Sequence, residues 1–202
     1  EELGGTDGGV PADADDGKLD TREWARLAFR RMDVHRETEQ ESNMVVAHLV
    51  AELGVRGPAF NVLTACAAST QAMGEASEII RRGDAEVMVS GGAHSMIHPY
   101  GVSGFNRLTA LSRRNDDVAT ASRPFDLTRD GFVLGEGASV LILEDRERAL
   151  ARGATIFAEI LGYGSSADAF RITDQDPEGD GAASGMKRAL DAAGLTQADI
   201  DY

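Results

Sequence analysis

The single cysteine of this 202-residue chain, Cys66, is the side chain best suited to covalent chemistry. It follows the apolar run Phe60–Leu63, which predicts a buried strand, and it precedes small and apolar residues at helical spacing. A thiol at the start of a helix lies near unpaired amide groups and the positive end of the helix dipole, which favour the thiolate. The same amides suit the oxyanion of a thioester under attack, so the pattern predicts acyl transfer to sulfur.

These residues alone leave a second interpretation of Cys66 open. Alanines stand on both sides of it, and a lone cysteine among small apolar residues commonly serves as a small buried hydrophobe. One cysteine excludes an internal disulfide framework and a four-cysteine zinc site, and we predict no metal site.

The elements that must position Cys66 follow the turn signal Arg56-Gly57-Pro58. Beyond it, short apolar runs alternate with amphipathic segments, which is typical of a layered α/β unit. The helix after Cys66 is predicted to end at a left-handed Gly83. Strands are predicted over 85–89, 133–144 and 154–161, and helices over 146–152 and 182–193.

Residues 1–41 have a different composition. Between Glu1 and Asp20 the chain has seven acidic residues, one lysine and five glycines, which indicates a solvated acidic loop. Thr21 is predicted to cap a helix through Met32, with Trp24 and Leu27 on its apolar face.

Composition and charge exclude several classes of function. The chain is 42% hydrophobic and 27% charged, with a net charge of −14, so it repels nucleic acid and anionic membranes. Its apolar runs fall far short of the roughly 20 residues that a membrane helix needs, and nothing in the first thirty residues given resembles the apolar segment of a secretory signal. We expect a reducing, cytoplasmic environment.

Four motifs in order carry a resemblance to a known family. They are Asn61–Thr70 around Cys66, Arg82–Gly92, Gly101–Phe105, and the stretch from Ser122 through Gly137 that contains SRPFD and RDGFVLGEG. Over about residues 42–202 the chain resembles the elongating β-ketoacyl-[acyl-carrier-protein] synthases of the thiolase superfamily, and it is most similar to their type II branch.

The resemblance implies an α/β thiolase-like layered fold, of which the chain holds the end of the first half and the beginning of the second. We accordingly expect two regions: an acidic loop and helical insertion over 1–41, and a partial ketosynthase domain over 42–202. The implied reaction is decarboxylative Claisen condensation of an acyl thioester with malonyl-acyl-carrier-protein, in fatty-acid or related polyketide elongation.

The resemblance also implies roles for four residues. Cys66 falls on the nucleophile that carries the acyl chain. Gly101 and Phe105 fall where the family lines the acyl pocket, and Phe132 falls beside the cysteine at the mouth of the pantetheine tunnel. Ordinary core packing is the alternative for both phenylalanines. Gly131, Gly135 and Gly137 are expected to serve the backbone through close approach or positive φ.

Two histidines and a lysine that support condensation come, in this family, from the second half of the fold, and we expect this chain to lack them. For His35, His48, His94 and His98 we expect structural or solvent-facing roles. Two alternatives therefore stay open: a truncated, non-catalytic binding module, and a cysteine hydrolase or decarboxylase on the same fold.

The expected partners are an acyl carrier protein and its acyl and malonyl thioesters. The carrier's phosphopantetheine supplies the thiol, and no metal or redox cofactor is implied. An acidic carrier needs a basic site on this negative molecule, and Arg107, Arg113 and Arg114 are its candidates. By resemblance, the complete protein is expected to be a homodimer.

Overall fold

The computed structural model describes residues 20–172 and 174–202. The chain divides into two compact units, the first ending at Val55 and the second spanning Arg56–Tyr202. The predicted boundary at residue 41 stays a prediction. None of the described helices has the length and apolar character that a bilayer span requires.

Three helices form the described part of the first unit: α1 (Thr21–Arg31), α2 (Val34–Thr38) and α3 (Met44–Leu53). The predicted helix after Asp20 is confirmed as α1, but Thr21 is not its cap. Asp20 caps it instead, because its carboxylate accepts the N–H groups of Arg22 at 2.9 Å and Glu23 at 3.1 Å.

The described part of the second unit contains three short 3-10 turns and six longer elements. In chain order they are the 3-10 turn Ala65–Ala67, α4 (Ala68–Arg81), β1 (Val87–Ser95), α5 (Pro99–Arg107), the 3-10 turn Val118–Thr120, β2 (Glu136–Glu144), α6 (Arg146–Ala151), α7 (Asp180–Ala193) and the 3-10 turn Gln197–Asp199. Within the described ranges, the sheet consists of β1 and β2, paired antiparallel from Val87 opposite Glu144 to Ser95 opposite Glu136.

Helix α4 packs on β1 through an unusually close approach. A Cβ placed on Gly92 would overlap the Ser69 hydroxyl, so this crossing requires glycine. Ala76 and Ile79 of α4 are buried, as their spacing predicted. The predicted stop at Gly83 is confirmed by its φ of +80°.

Two predicted strands are wrong. Residues 60–63 and 154–161 lie outside any strand, because no neighbouring strand in the described structure pairs with their backbones. Apolar runs can show that a segment suits burial but cannot supply its hydrogen-bonding partner. The strand predicted over 133–144 begins later, at Glu136, and helix α5 was not predicted at all.

The segment that follows residue 161 lies between two helices. The ring of Tyr163 lies so close to Gly74 of α4 that a Cβ there would overlap it. On alternate residues, Gly162 and Gly164 approach the α7 backbone, where added Cβ atoms would overlap the carbonyl oxygens of Ala189 and Gly185. Because glycine has only a hydrogen atom as its side chain, α4 and α7 can both pack closely against this segment.

We therefore expect Gly164→Ala to destabilise the chain, because the new methyl group meets α7 backbone rather than a movable side chain. The free energy of unfolding, measured by urea denaturation, should fall by about 1–3 kcal/mol. Gly104→Ala, on α5 with no atom near its Cβ, is the matched control and should be neutral or stabilising by up to about 1 kcal/mol. Equal effects of the two substitutions would contradict this packing.

Candidate active site

Cys66 lies in the 3-10 turn that leads directly into α4. The preceding residue, Ala65, has a φ of +50°, in the left-handed region that residues with a Cβ rarely adopt. Such strained positions cluster at functional sites, where a sharp turn directs a side chain outward. Cys66 is exposed, which argues against its being a small buried hydrophobe.

The start of α4 offers amide groups beside the cysteine. Its N-cap is Ala67, which provides no side-chain acceptor to the first turn of the described helix. The predicted strand before Cys66 is absent, but the predicted helix after it is present. The junction therefore retains the feature on which the chemistry depends, a thiol beside the positive end of a 14-residue helix.

The structure brings together two of the predicted site residues, Phe105 and Phe132. Their ring centroids lie 5.9 Å apart at an interplanar angle of 73°, an edge-to-face contact between α5 and the loop before β2. Phe132 is 57% exposed, so one side of the pair is open to a ligand. It also lines an open depression together with Thr109, Ser122, Arg123 and Phe125.

The backbone around Phe132 is held tightly. Its N–H donates to the carbonyl of Ala110 at 2.7 Å, and its carbonyl accepts the N–H of Ser112 at 2.9 Å. Gly131 has a φ of +145°, and a Cβ there would lie 2.5 Å from the carbonyl carbon of Leu111. The backbone role predicted for Gly131 is confirmed. For Gly135 and Gly137 it is wrong, because neither has positive φ or a close neighbour.

The side chain of Asp130 also stabilises this loop. Its carboxylate accepts the N–H of Arg113 at 2.9 Å and the hydroxyl of Ser112 at 2.8 Å, and it pairs with Arg123 at 3.4 Å. These hydrogen bonds, first that of Arg113 and then that of Ser112, lower the pKa of Asp130 below its usual value.

Gly101 is buried on α5, where a Cβ would overlap the carbonyl oxygen of Met96. His98 caps the same helix, since its Nδ1 accepts the N–H of Gly101 at 3.2 Å. His48, in the first unit, contacts Glu39 at 2.6 Å. These contacts give His98 and His48 structural roles, as expected.

The three candidate arginines differ in how accessible they are to a partner. Arg107, at the end of α5, and Arg113 are exposed. Arg114 is half-buried, and its guanidinium donates to Thr120 Oγ1 at 3.4 Å, which leaves it less available to a partner.

A further basic surface, on α1, was not predicted from the sequence. Arg22, Arg26 and Arg30 are exposed and recur every fourth residue of this helix, so they share one face. The four-residue spacing was readable in the sequence and could have identified this face.

Comparison with known proteins gives the family. A family model described as "Beta-ketoacyl synthase, N-terminal domain" matches residues 10–149, and one described as "Beta-ketoacyl synthase, C-terminal domain" matches residues 157–202. The chain belongs to the β-ketoacyl synthase family. The N-terminal match begins well before residue 42, so the family resemblance extends further than the motifs alone indicated.

Two bacterial β-ketoacyl synthases illustrate the likeness in sequence. The chain is 46% identical over 160 residues to 3-oxoacyl-[acyl-carrier-protein] synthase 2 of Staphylococcus aureus, and 48% identical over 161 residues to the enzyme of that name from Rhizobium meliloti. Each alignment covers 79% of this chain but only 40% and 38%, respectively, of the relative. The chain thus spans about two fifths of their length.

Solved ketosynthase structures confirm the predicted thiolase-like layered fold. The ishigamide ketosynthase/chain length factor matches with a TM-score of 0.79 and 37% identity, over 89% of this chain and 42% of that one. A type II polyketide ketosynthase in complex with its acyl-carrier protein, AntDE:AntF, matches with a TM-score of 0.77 and 36% identity, over 80% and 40%.

The lowered pKa of Asp130 yields a pH-dependent prediction. Stability from the charged carboxylate is present above the ordinary Asp pKa of about 3.9, and it is lost as the pH falls through the lower folded-state pKa. The wild type should therefore melt at a higher temperature than Asp130→Asn at neutral pH, and this difference should shrink in acid. Asp116→Asn, whose carboxylate holds neither Ser112 nor Arg113, is the control. A difference between wild type and Asp130→Asn that did not change down to strong acid would contradict this role.

Proposed function

We propose that this β-ketoacyl synthase elongates acyl chains by decarboxylative Claisen condensation, with Cys66 carrying the growing chain. The observation that supports this most directly is the exposed Cys66 on a left-handed turn at the start of α4. It occurs in a chain 46% identical to a 3-oxoacyl-[acyl-carrier-protein] synthase. Fatty-acid elongation and a related polyketide pathway both fit this chemistry.

In the first step, the Cys66 thiolate attacks the carbonyl carbon of an acyl thioester on a carrier protein. The bond from that carbon to the carrier's phosphopantetheine sulfur breaks, and the departing thiolate takes a proton. Amides at the start of α4 are the candidate donors to the oxyanion formed in the attack; losing one such donor typically costs about 2.7–4 kcal/mol.

In the second step, malonyl-carrier protein loses carbon dioxide and the electron pair of the broken bond forms an enolate. The enolate carbon attacks the acyl-Cys66 carbonyl, and the Cys66 thiolate leaves. The product is a β-ketoacyl-carrier protein two carbons longer than the starting acyl group.

The acyl chain is proposed to run past Gly101 and Phe105, with Phe132 beside the entrance. Burial of Gly101 against Met96 leaves no room for a side chain, and the edge-to-face pair of Phe105 and Phe132 presents apolar surface. Apolar walls of this kind suit a hydrocarbon chain and keep water from the thioester.

The proposed partner is an acyl carrier protein, as in the AntDE:AntF complex. Arg107 and Arg113 are the exposed candidates for its acidic surface in the second unit. A cytoplasmic setting, a homodimeric full-length protein and the absence of a resident cofactor belong to the same proposal.

Product analysis tests the function. The full-length protein is incubated with an acyl-carrier thioester and malonyl-carrier protein, and the products are separated by mass. We expect carbon dioxide and a β-ketoacyl product two carbons longer from the wild type, and no elongated product from Cys66→Ala, because elongation requires the acyl-Cys66 thioester. Free acid or acetyl-carrier protein without elongation would instead support a hydrolase or decarboxylase, and no turnover with any acyl length would support a binding module.

Reversing the charge of Arg107 and Arg113 to Glu should weaken carrier docking and leave chemistry intact. We expect the KM for acyl-carrier protein to rise about tenfold with little change in kcat, because exposed charges at the edge of an interface act mainly on the rate at which the partners associate. Arg171→Glu with Lys187→Glu, two exposed positions paired to Asp174 and Asp191, makes the same change in net charge elsewhere. Equal KM values in the two double variants would rule out this docking site.

A further inference from the structure

One carboxylate, that of Glu136, joins the end of β1 to the start of β2. Glu136 is the first residue of β2 and lies opposite Ser95, the last residue of β1. Its Oε1 accepts the Ser95 hydroxyl at 2.7 Å and the N–H of Ile97 at 3.3 Å. The side chain thus reaches past the end of the ladder into the loop that leads to α5.

The peptide that Glu136 holds contacts α5 on its other side. The N–H of Ile97 and the carbonyl of Met96 belong to one planar peptide unit, so fixing the first orients the second. The Met96 carbonyl lies against Gly101 so closely that a Cβ would overlap it. The next residue along the loop, His98, caps α5 through the N–H of Gly101.

The other end of α5 is tied to the same stretch of chain. Phe105 makes its edge-to-face contact with Phe132, four residues before Glu136. Just beyond α5, the carbonyl of Ala110 accepts the Phe132 N–H at 2.7 Å. Residues 130–136 therefore hold the helix at both ends, by a carboxylate at its start and by an aromatic and backbone contact at its end.

We propose that Glu136 is a positioning residue that orients the Met96–Ile97 peptide and thereby sets where α5 places Gly101 and Phe105. This inference rests on the proposed function, because these residues matter to specificity only if they line an acyl pocket. Under it, Glu136 controls which acyl lengths are accepted, while the reactivity of Cys66 itself does not depend on it.

The groups around Glu136 favour the ionised form of its carboxylate. The Ser95 hydroxyl and then the Ile97 amide lower its pKa, and His98 and His94 act in the same direction. A carboxylate that accepts two hydrogen bonds holds its donors more strongly than a neutral acceptor does.

Three substitutions of Glu136 separate the effect of its hydrogen-bond acceptor from the effect of its negative charge. Glu136→Ala removes both, Glu136→Gln keeps an amide oxygen in the same place, and Glu136→Asp keeps the charge on a side chain one methylene shorter. Glu147→Ala is the control, because Glu147 is an exposed glutamate of α6 that pairs with Arg146. All are made in the full chain.

Hydrogen exchange of the α5 amides is the first readout, and it needs no enzymatic activity. We expect exchange in α5 to rise about tenfold in Glu136→Ala and Glu136→Asp, and by a smaller factor in Glu136→Gln, because its neutral oxygen accepts the same hydrogen bonds more weakly. Exchange in α4 and α7 should stay unchanged. Glu147→Ala should leave α5 as in the wild type.

Acyl-length preference is the second readout. The ratio of kcat/KM for long and short acyl-carrier substrates should shift about tenfold in Glu136→Ala and less in Glu136→Gln. The rate of Cys66 alkylation by iodoacetamide should not change in either variant. If Glu136→Ala leaves α5 exchange and acyl preference as in Glu147→Ala, the positioning role is wrong, whether or not the wild type carries out condensation. A rise in exchange spread equally over α4, α5 and α7, or equal impairment in Glu136→Gln and Glu136→Ala, would also overturn it. If Glu136→Ala alters α5 exchange but the wild type does not carry out condensation, the positioning role of Glu136 stands and the proposed function is refuted instead.

Discussion

The left-handed turn at Ala65 is the constraint on which the candidate site depends. A residue with a Cβ accepts a φ of +50° only where its surroundings compensate for the strain. Here α4 provides that support: Ser69 lies against Gly92 of β1, and Gly74 lies against Tyr163. The helix is thus held by two contacts that exclude any side chain larger than hydrogen, and Cys66 is carried at its start.

The proposed pocket residues, Gly101 and Phe105, depend on a different part of the chain, the stretch 130–136. Asp130 fastens the loop after α5, Phe132 contacts Phe105, and Glu136 holds the peptide before α5. These three contacts place the candidate acyl-binding helix without involving Cys66 or α4. The proposed nucleophile and the proposed pocket therefore rest on separate sets of contacts.

The sequence predicted the helix after Cys66, and it named Cys66, Phe105 and Phe132 as candidate site residues, because each lies in a local pattern or a motif. The contact between Phe105 and Phe132 was not predicted. It failed where the deciding partner is remote in the chain. Residues 60–63 and 154–161 have the apolar character of strands, but hydrogen bonds to a neighbour define a strand, and pattern alone cannot provide them. The role of Glu136 was equally hidden, because it depends on Ser95 and Ile97, about forty residues earlier.

The most direct test of the account is to locate the acyl group on the enzyme. After incubation with an acyl-carrier thioester and an acid quench, trypsin releases residues 57–81 as one peptide that contains the chain's only cysteine. We predict the mass of the acyl group on this peptide, its removal by hydroxylamine, and its absence from Cys66→Ala. Elongated product formed without any acyl mass on this peptide would contradict the account.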